Sequence, residues 1–219
     1  MNIGILGTGV VGEALGSALI NKGHNVLMGA RQAGNEKAVA WVEKAGSGAA
    51  EGSFEEAALF GQVVFISLNG EHALEAVRKI DRDSFAGKIV IDTTNPLDFS
   101  SGMPPRILEE YRTVSLGEKI QEALPGAFVV KALNTMNYKV MVDARVVNGG
   151  NHDLFVCGND LHAKNKTKHF LVDNFHWRAD RLVDLGGIES ARAIEAIVPF
   201  WVLVYQSLGT PLFNFKIVH

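Results

Sequence analysis

The run Gly7-Thr8-Gly9-Val10-Val11-Gly12 constrains this chain more than any other stretch. The Gly-x-Gly-x-x-Gly spacing alone is common, so its flanks decide its meaning. Before it, Ile3-Gly4-Ile5-Leu6 is a short apolar run of the kind buried in a parallel strand. After it, Val11, Ala14, Leu15, Ala18 and Leu19 recur at helical spacing as far as Gly23, a helix stop, and Val26-Leu27-Met28 reads as a second strand. That is the strand–turn–helix–strand setting in which the motif binds a dinucleotide. Gly7 permits the tight turn, Gly9 lets a pyrophosphate approach the backbone, and Gly12 lets helix and strand pack closely. The free N–H groups at the helix N-terminus face the phosphates.

The end of the second strand selects between dinucleotides. An NAD site places Asp or Glu there to accept from the ribose 2′-OH, whereas Arg suits the 2′-phosphate of NADP. Here the position reads Ala30-Arg31-Gln32, and no carboxylate precedes Glu36. Arg31 can hold a phosphate bidentately, with Thr8, Asn35 or Lys37 adding contacts. The expected cofactor is NADP(H).

Farther on, strands alternate with helices. Glu36 to Ala45 has helical periodicity, Ala49-Ala50 reads as a short strand, and Ser53 with Glu56 forms a capping box. Val63 to Leu68 reads as a buried central strand, Glu71 to Ile80 as a helix, and Lys88 to Asp92 as the next strand. Ser115 with Glu118 caps a further helix, and Phe128 to Leu133 is another strand. Polar residues collect where these strands end: Ser67 and Asn69, with Leu68 between them; Thr94 and Asn95; Asn134 and Thr135. In an open α/β sheet that edge binds ligands. Thus Ser67, Leu68, Asn69, Asn95, Ala132 and Asn134 are expected to line the nicotinamide side, and Gly7, Thr8, Gly9, Val10, Val11, Gly12, Ala30, Arg31, Gln32 and Lys37 the phosphate side.

The last third differs. A strand at Leu154 to Gly158, a helix to about Phe175 and a strand within Arg178 to Leu185 precede a long apolar helix from Ile188 to Leu208, which Pro199 kinks or breaks. Alternation at Phe213, Phe215 and Ile217 predicts a final strand. Asp98 to Pro105 reads as a mobile loop near the strand edges, a candidate lid. Asn148-Gly149-Gly150-Asn151 marks a boundary between an NADP-binding Rossmann domain, residues 1–150, and a small α+β domain, residues 151–219, that walls an acceptor cleft or makes a homodimer through its helix. The fold class is α/β, a doubly wound, mostly parallel sheet.

Composition excludes several classes. With 219 residues, 47% hydrophobic and 21% charged, the chain has room for a sizeable core, and a formal charge of −3 gives nucleic acid no basic surface. The first strand starts at residue 2, leaving no signal peptide, and Ala196 to Tyr205 is too short to span a bilayer. One cysteine, Cys157, forms no internal disulfide and reads as a buried apolar residue, which suits the cytoplasm. No Ser/His/Asp order, metal-spaced histidine pair or paired acids stands out, so no catalytic side chain or metal ligand is expected. His72 reads as a cap or surface residue, and Lys131 as structural.

The glycine fingerprint, Gly29-Ala30-Arg31, Glu71-His72-Ala73, Val156 to Asp160 and Asp184-Leu185-Gly186-Gly187-Ile188-Glu189-Ser190-Ala191-Arg192 occur in this order. In these residues, and over essentially its whole length, the chain resembles the F420-dependent NADP reductase family. The cytosolic reductase domain of the six-transmembrane metalloreductases is similar too. The resemblance implies direct hydride transfer between nicotinamide and an acceptor ring stacked in a cleft, which needs alignment and exclusion of water more than acid–base groups. The archaeal pattern has Pro-Trp before Glu-His-Ala, where this chain has Asn69-Gly70, and a His where Asn134 stands. The NADP half therefore carries over better than the F420 half. The expected acceptor is flavin-like or another small molecule: F420, a different flavin, a quinone, a carbonyl or a metal chelate. The alternatives are an NADP(H)-responsive sensor without turnover and a hydroxyacid or imine reductase.

Overall fold

The computed structural model describes residues 1–218. The strands are β1 (Asn2–Leu6), β2 (Asn25–Ala30), β3 (Ala49–Ser53), β4 (Val63–Ile66), β5 (Ile89–Asp92), β6 (Leu97–Asp98), β7 (Arg106–Ile107), β8 (Phe128–Ala132), β9 (Leu154–Cys157) and β10 (Leu182–Asp184). The α-helices are α1 (Val10–Asn21), α2 (Glu36–Ala45), α3 (Phe54–Phe60), α4 (Gly70–Arg78), α5 (Leu116–Ala123), α6 (Tyr138–Val142), α7 (Leu161–Phe175), α8 (Ala191–Ala196) and α9 (Val198–Leu208).

Eight strands form one sheet in the order β3-β2-β1-β4-β5-β8-β9-β10. All neighbours pair in parallel except β8 and β9, which run antiparallel. The chain starts in the middle at β1, winds outward to β3, then returns to β4 and winds the other way. The direction of winding therefore reverses between β1 and β4, and a crevice opens there at the strands' carboxyl ends.

The pleat sends alternate residues to opposite faces. Ile3, Ile5 and Phe65 pack with Leu15, Leu19, Trp41, Leu171 and Phe175 of α1, α2 and α7. Leu6, Val64 and Ile66 pack with Ala57, Ala73, Val77 and Ile120 of α3, α4 and α5. Both faces are covered, which is why the central strands are apolar without alternation. Both expected capping boxes are present, at Ser53 with Glu56 and at Ser115 with Glu118.

Four features differ from the sequence-based expectation. The sheet continues past residue 150, since β9 and β10 extend its edge beyond β8. The segment at 98–105 is the turn of a small hairpin in which β6 and β7 pair, Leu97 opposite Ile107 and Asp98 opposite Arg106. The long C-terminal helix is two helices: α8 ends at Ala196 and α9 begins at Val198, with Pro199 in its first turn, where a missing N–H costs no hydrogen bond. Finally, 212–218 forms no strand. Phe213 stacks on Trp201 at 5.0 Å and Phe215 on Phe200 at 6.0 Å, so their alternation serves contacts with α9 rather than a sheet. Residues 151–219 thus contribute two edge strands and three α-helices, with α8 and α9 forming a C-terminal helical region.

Candidate functional site

Two adjoining cavities lie at the carboxyl edge of the sheet. The first, about 820 Å³, is lined by Gly7, Thr8, Gly9, Ala30, Arg31, Gln32, Lys37 and, at its far end, Ser67, Leu68 and Asn69. The second, about 520 Å³, shares those last three residues and continues past Val10, Val11, Asn95 and Asn134 to α9. Fourteen of the sixteen expected site residues therefore line one groove. Gly12 lies beneath it, in the turn. Ala132 lies in the core, buried with Val156 and Leu154, and its side chain lines neither cavity.

The three glycines act differently. Gly7 has φ +129°, and a Cβ there would stand 2.5 Å from the Ser67 carbonyl oxygen. A Cβ on Gly12 would stand 2.1 Å from the Gly7 carbonyl oxygen. Both glycines are needed for the turn itself. At Gly9 nothing in the protein lies within 4 Å of such a Cβ, so the missing side chain leaves open space above the turn. Gly9 is also the N-cap of α1 and supplies no side-chain acceptor to the helix's first N–H groups. Unsatisfied donors, partial positive charge and open space suit a bound phosphate.

Beyond β2, the chain turns through Arg31 to Asn35. Glu51 accepts the Gly34 N–H at 2.9 Å and Asn35 caps α2, which fixes the turn. Arg31 and Lys37 are exposed, and neither side chain has a hydrogen-bond or ion-pair partner among the described residues. Two uncommitted cations thus stand over this end of the groove. His72 lines a separate recess of about 510 Å³ with Arg31, Phe54, Glu75 and Lys79. It is exposed, as a surface residue of the first turn of α4 would be.

The second cavity is walled by Phe99 and Met103 of the hairpin, Met136, Tyr138 and Met141 after β8, and Val198, Trp201, Val202 and Tyr205 of α9. None of its lining residues is Asp, Glu, Lys, Arg or His. The apolar α9 residues were expected from the sequence to wall a cleft or meet a second subunit, and here they line the cleft. Turn residues had marked 98–105 as a loop near the strand edges, whereas the post-β8 residues carried no periodic signal that could have placed them here.

At the strand ends, Asn95 donates to the Asn134 carbonyl at 2.7 Å, while the Asn134 amide donates to Asn95 Oδ1 at 2.9 Å and to the Ile194 carbonyl at 3.1 Å. This pair ties β5 and β8 to α8. The preceding residue, Leu133, is buried at φ +66°, a left-handed conformation that costs a non-glycine residue about 1–3 kcal/mol. Buried Asn134 Oδ1, Ser67 Oγ and Trp201 Nε1 have no hydrogen-bond partner.

Beneath the groove, the fully buried Lys131 ammonium contacts Asp92 at 2.9 Å, Glu195 at 2.8 Å and the Thr94 carbonyl at 2.6 Å. Glu195 also accepts the N–H groups of Leu116 and Gly117 at the start of α5. Burial pushes the Glu195 carboxyl above its usual range, with the Lys131 ammonium pulling the other way. Burial opposes the Lys131 charge as well, but its two carboxylates outweigh it and raise its pKa. Every member of the network is spent on another, which is the structural role expected of Lys131. Burial likewise pushes the Cys157 thiol up to about 12, so it carries no nucleophilic thiolate near neutral pH.

Comparison with known proteins gives a consistent answer. The family described as NADP oxidoreductase, coenzyme F420-dependent, matches residues 2–96. The F420-dependent NADP reductase of Methanocaldococcus jannaschii is 31% identical over 225 aligned positions, covering 96% of each chain. The metalloreductase STEAP3 of Rattus norvegicus is 28% identical over 91% of this chain and 37% of its own length. A crystal structure from Arthrobacter sp. FB24, provisionally described as an F420-dependent NADP reductase, superposes with a TM-score of 0.91 at 38% identity over the full length of both chains. No described helix is long and apolar enough to cross a membrane. The glycine turn, the open space at Gly9, the free cations after β2 and these similarities agree: the protein is an NADP-dependent oxidoreductase and belongs to the F420-dependent NADP reductase family.

Proposed function

We propose that this protein passes a hydride between NADP(H), laid along the first cavity and the entrance of the second, and a flavin-like or similar planar acceptor held against α9. The observation that carries this reading is the uncharged, aromatic- and methionine-lined cleft that continues directly from the phosphate-binding turn. Bound NADPH would supply the hydride. The chain's own residues bind, orient and exclude water.

In this reading Thr8 to Gly12 present backbone N–H groups to the pyrophosphate, and Arg31, with Gln32 and Lys37, takes the 2′-phosphate. Ser67, Leu68 and Asn69 carry the cofactor from one cavity to the next, and Val10, Asn95 and Asn134 border the nicotinamide. The unpartnered Ser67 and Asn134 oxygens suit a carboxamide N–H donor. Trp201, Val202 and Tyr205 exclude water from the acceptor. Such a site works by alignment in a dry environment, and charged side chains at the reacting atoms are not needed. Residues 1–150 then bind the dinucleotide and supply one wall of the acceptor cleft, and α9, within 151–219, supplies the other.

Exposed Phe200, Leu203 and Leu208 support association of two copies through α9, and the buried lone cysteine supports a reducing cytoplasm. The test of the main reading is steady-state NADPH oxidation with a panel of flavins, F420, quinones and ferric chelates. Turnover with a planar ring acceptor and little with ferric chelates is expected. NADPH binding without turnover on any of them would instead establish a sensor.

A further inference from the structure

Gly209 ends α9 in a left-handed turn, φ +67°, and 210–218 then run back along the helix. None of these residues lines the acceptor cleft. We infer that the segment is a strap that sets the position of Trp201 in the cleft, with Phe213 as its contact and Asn214 and Asp153 as its fastening. All three are then positioning residues for hydride transfer. The inference rests on the reading that the cleft takes the acceptor.

Helix α9 needs such a hold. It buries Val198 and Val202, whereas Phe200, Leu203 and Leu208 are exposed. Its predecessor α8 is pinned by Glu195 and by the Asn134 bond to the Ile194 carbonyl, but both ties precede Ile197, where the two helices part. Trp201 lines the cleft, and its Nε1 has no hydrogen-bond partner to fix the ring. Stacking fixes it instead. The Phe213 ring centre lies 5.0 Å from that of the indole at 16°, and Tyr205, also of the cleft wall, lies 5.8 Å away at 31°. Phe215 stacks on Phe200 at 6.0 Å and meets Phe213 edge-on at 6.4 Å, so the strap grips α9 at two successive residues.

The strap is fastened to the body at the start of β9. Between the two phenylalanines, Asn214 donates through Nδ2 to His152 Nδ1 at 2.8 Å and to the Asp153 carbonyl at 2.9 Å. That leaves the His152 Nε2–H to donate to the Ala144 carbonyl at 2.8 Å. Asp153 donates its N–H to the Phe215 carbonyl at 2.9 Å, and its carboxylate accepts the Ile217 N–H, with Arg181 3.6 Å away. His152 and Asp153 are both buried, and the imidazole sits edge-on to Trp177 at 5.0 Å, so the anchor is part of the core. Its place beside the cleft follows from the sheet. Strand β9 runs antiparallel to β8, with Ala132 opposite Val156, so the start of β9 rather than its end reaches the ligand-binding edge. A parallel β9 would put residues 152–153 at the opposite edge. The alternation of Phe213, Asn214 and Phe215 is therefore that of a two-sided strap, with rings on α9 and polar groups on the start of β9.

Three variants test the strap. Phe213→Ala removes the ring from Trp201, Phe213→Tyr keeps a ring there, and Asn214→Ala loosens the fastening without removing any contact to α9. Hydrogen exchange followed by mass spectrometry reads the hold on α9 whether or not an acceptor turns over. The amides of α9 should exchange about 2- to 10-fold faster in both alanine variants, the factor given by loss of one aromatic pair, and at the unmodified rate in Phe213→Tyr. With riboflavin, F420 and menadione as acceptors at saturating NADPH, the acceptor KM should rise by a similar factor in the alanine variants, while the NADPH Kd stays within about twofold. Unchanged α9 exchange in both alanine variants would overturn the inference. Faster exchange with an unchanged acceptor KM would show a merely structural strap, and equal losses of acceptor and NADPH affinity a general loosening. Each of these overturns the positioning role and leaves the hydride-transfer reading standing. Turnover of no acceptor by the unmodified protein would remove both.

Discussion

Replacing Gly9 with Ala separates cofactor binding from folding, and Gly12→Ala is its natural control. Gly9 sits at φ −81° and ψ 178°, open to any L-residue, and its added Cβ meets no protein atom within 4 Å. Alanine there restricts the unfolded chain, a gain of about 0.4–1 kcal/mol, and is a poorer N-cap by a similar amount. The unliganded melting temperature should therefore move by no more than about 2 °C. The methyl group, however, occupies the space assigned to the pyrophosphate. At a hundredfold excess over Kd, NADPH stabilises the unmodified protein by about 2.7 kcal/mol. For a chain of this size that corresponds to roughly 5–10 °C. In Gly9→Ala the NADPH-induced shift should vanish. Gly12→Ala should instead lower the unliganded melting temperature, because its Cβ would collide at 2.1 Å with the Gly7 carbonyl oxygen, a strain of about 1–3 kcal/mol. The assay is a thermal-shift titration of all three proteins. A full NADPH shift in Gly9→Ala would refute the pyrophosphate assignment, and a large loss of unliganded stability there would refute the claim that the space is free.

Two further outcomes follow from named contacts. Arg31→Ala should weaken NADPH binding about 10- to 100-fold, the value of one charge-assisted phosphate contact, and leave NADH binding within about twofold; calorimetric titration showing equal losses would remove Arg31 from the 2′-phosphate. Glu195→Ala leaves Lys131 with one carboxylate and strips the Leu116 and Gly117 amides of their acceptor, so it should cost about 3–5 kcal/mol. Urea denaturation would read this as a lower midpoint with an unchanged slope, and a loss below about 1 kcal/mol would show the network to be dispensable.

The parts of this molecule that repeat were legible in its sequence. Val63 to Ile66 could be read as a central strand because both faces of the sheet are covered, which leaves an unbroken apolar run. The glycine fingerprint and Arg31 could be read because their spacing is set by one local turn and the next strand. What could not be read was set by distance. Asp92, Lys131 and Glu195 meet only through the order of strands and the docking of α8, and nothing near Lys131 names its partners. The β6–β7 hairpin was equally hidden: strands of two residues have no period, and Phe99 and Met103 acquire a role only because α9 stands opposite. Phe213 and Phe215 misled for the reverse reason, since alternation can serve an aromatic stack as well as a sheet.

The Lys131 network also bears on how the chain is made. Translation delivers Lys131 and Asp92 well before Glu195, so a growing chain must keep a lysine destined for the interior with only one of its carboxylates. The opening amides of α5 wait for the same residue. Helix α8 therefore acts as a closing piece for an interior assembled earlier. The acceptor side of the groove takes its final form only after α8 and α9 have left the ribosome, whereas the phosphate-binding turn, built almost wholly from the first strands and helices, can form well before them.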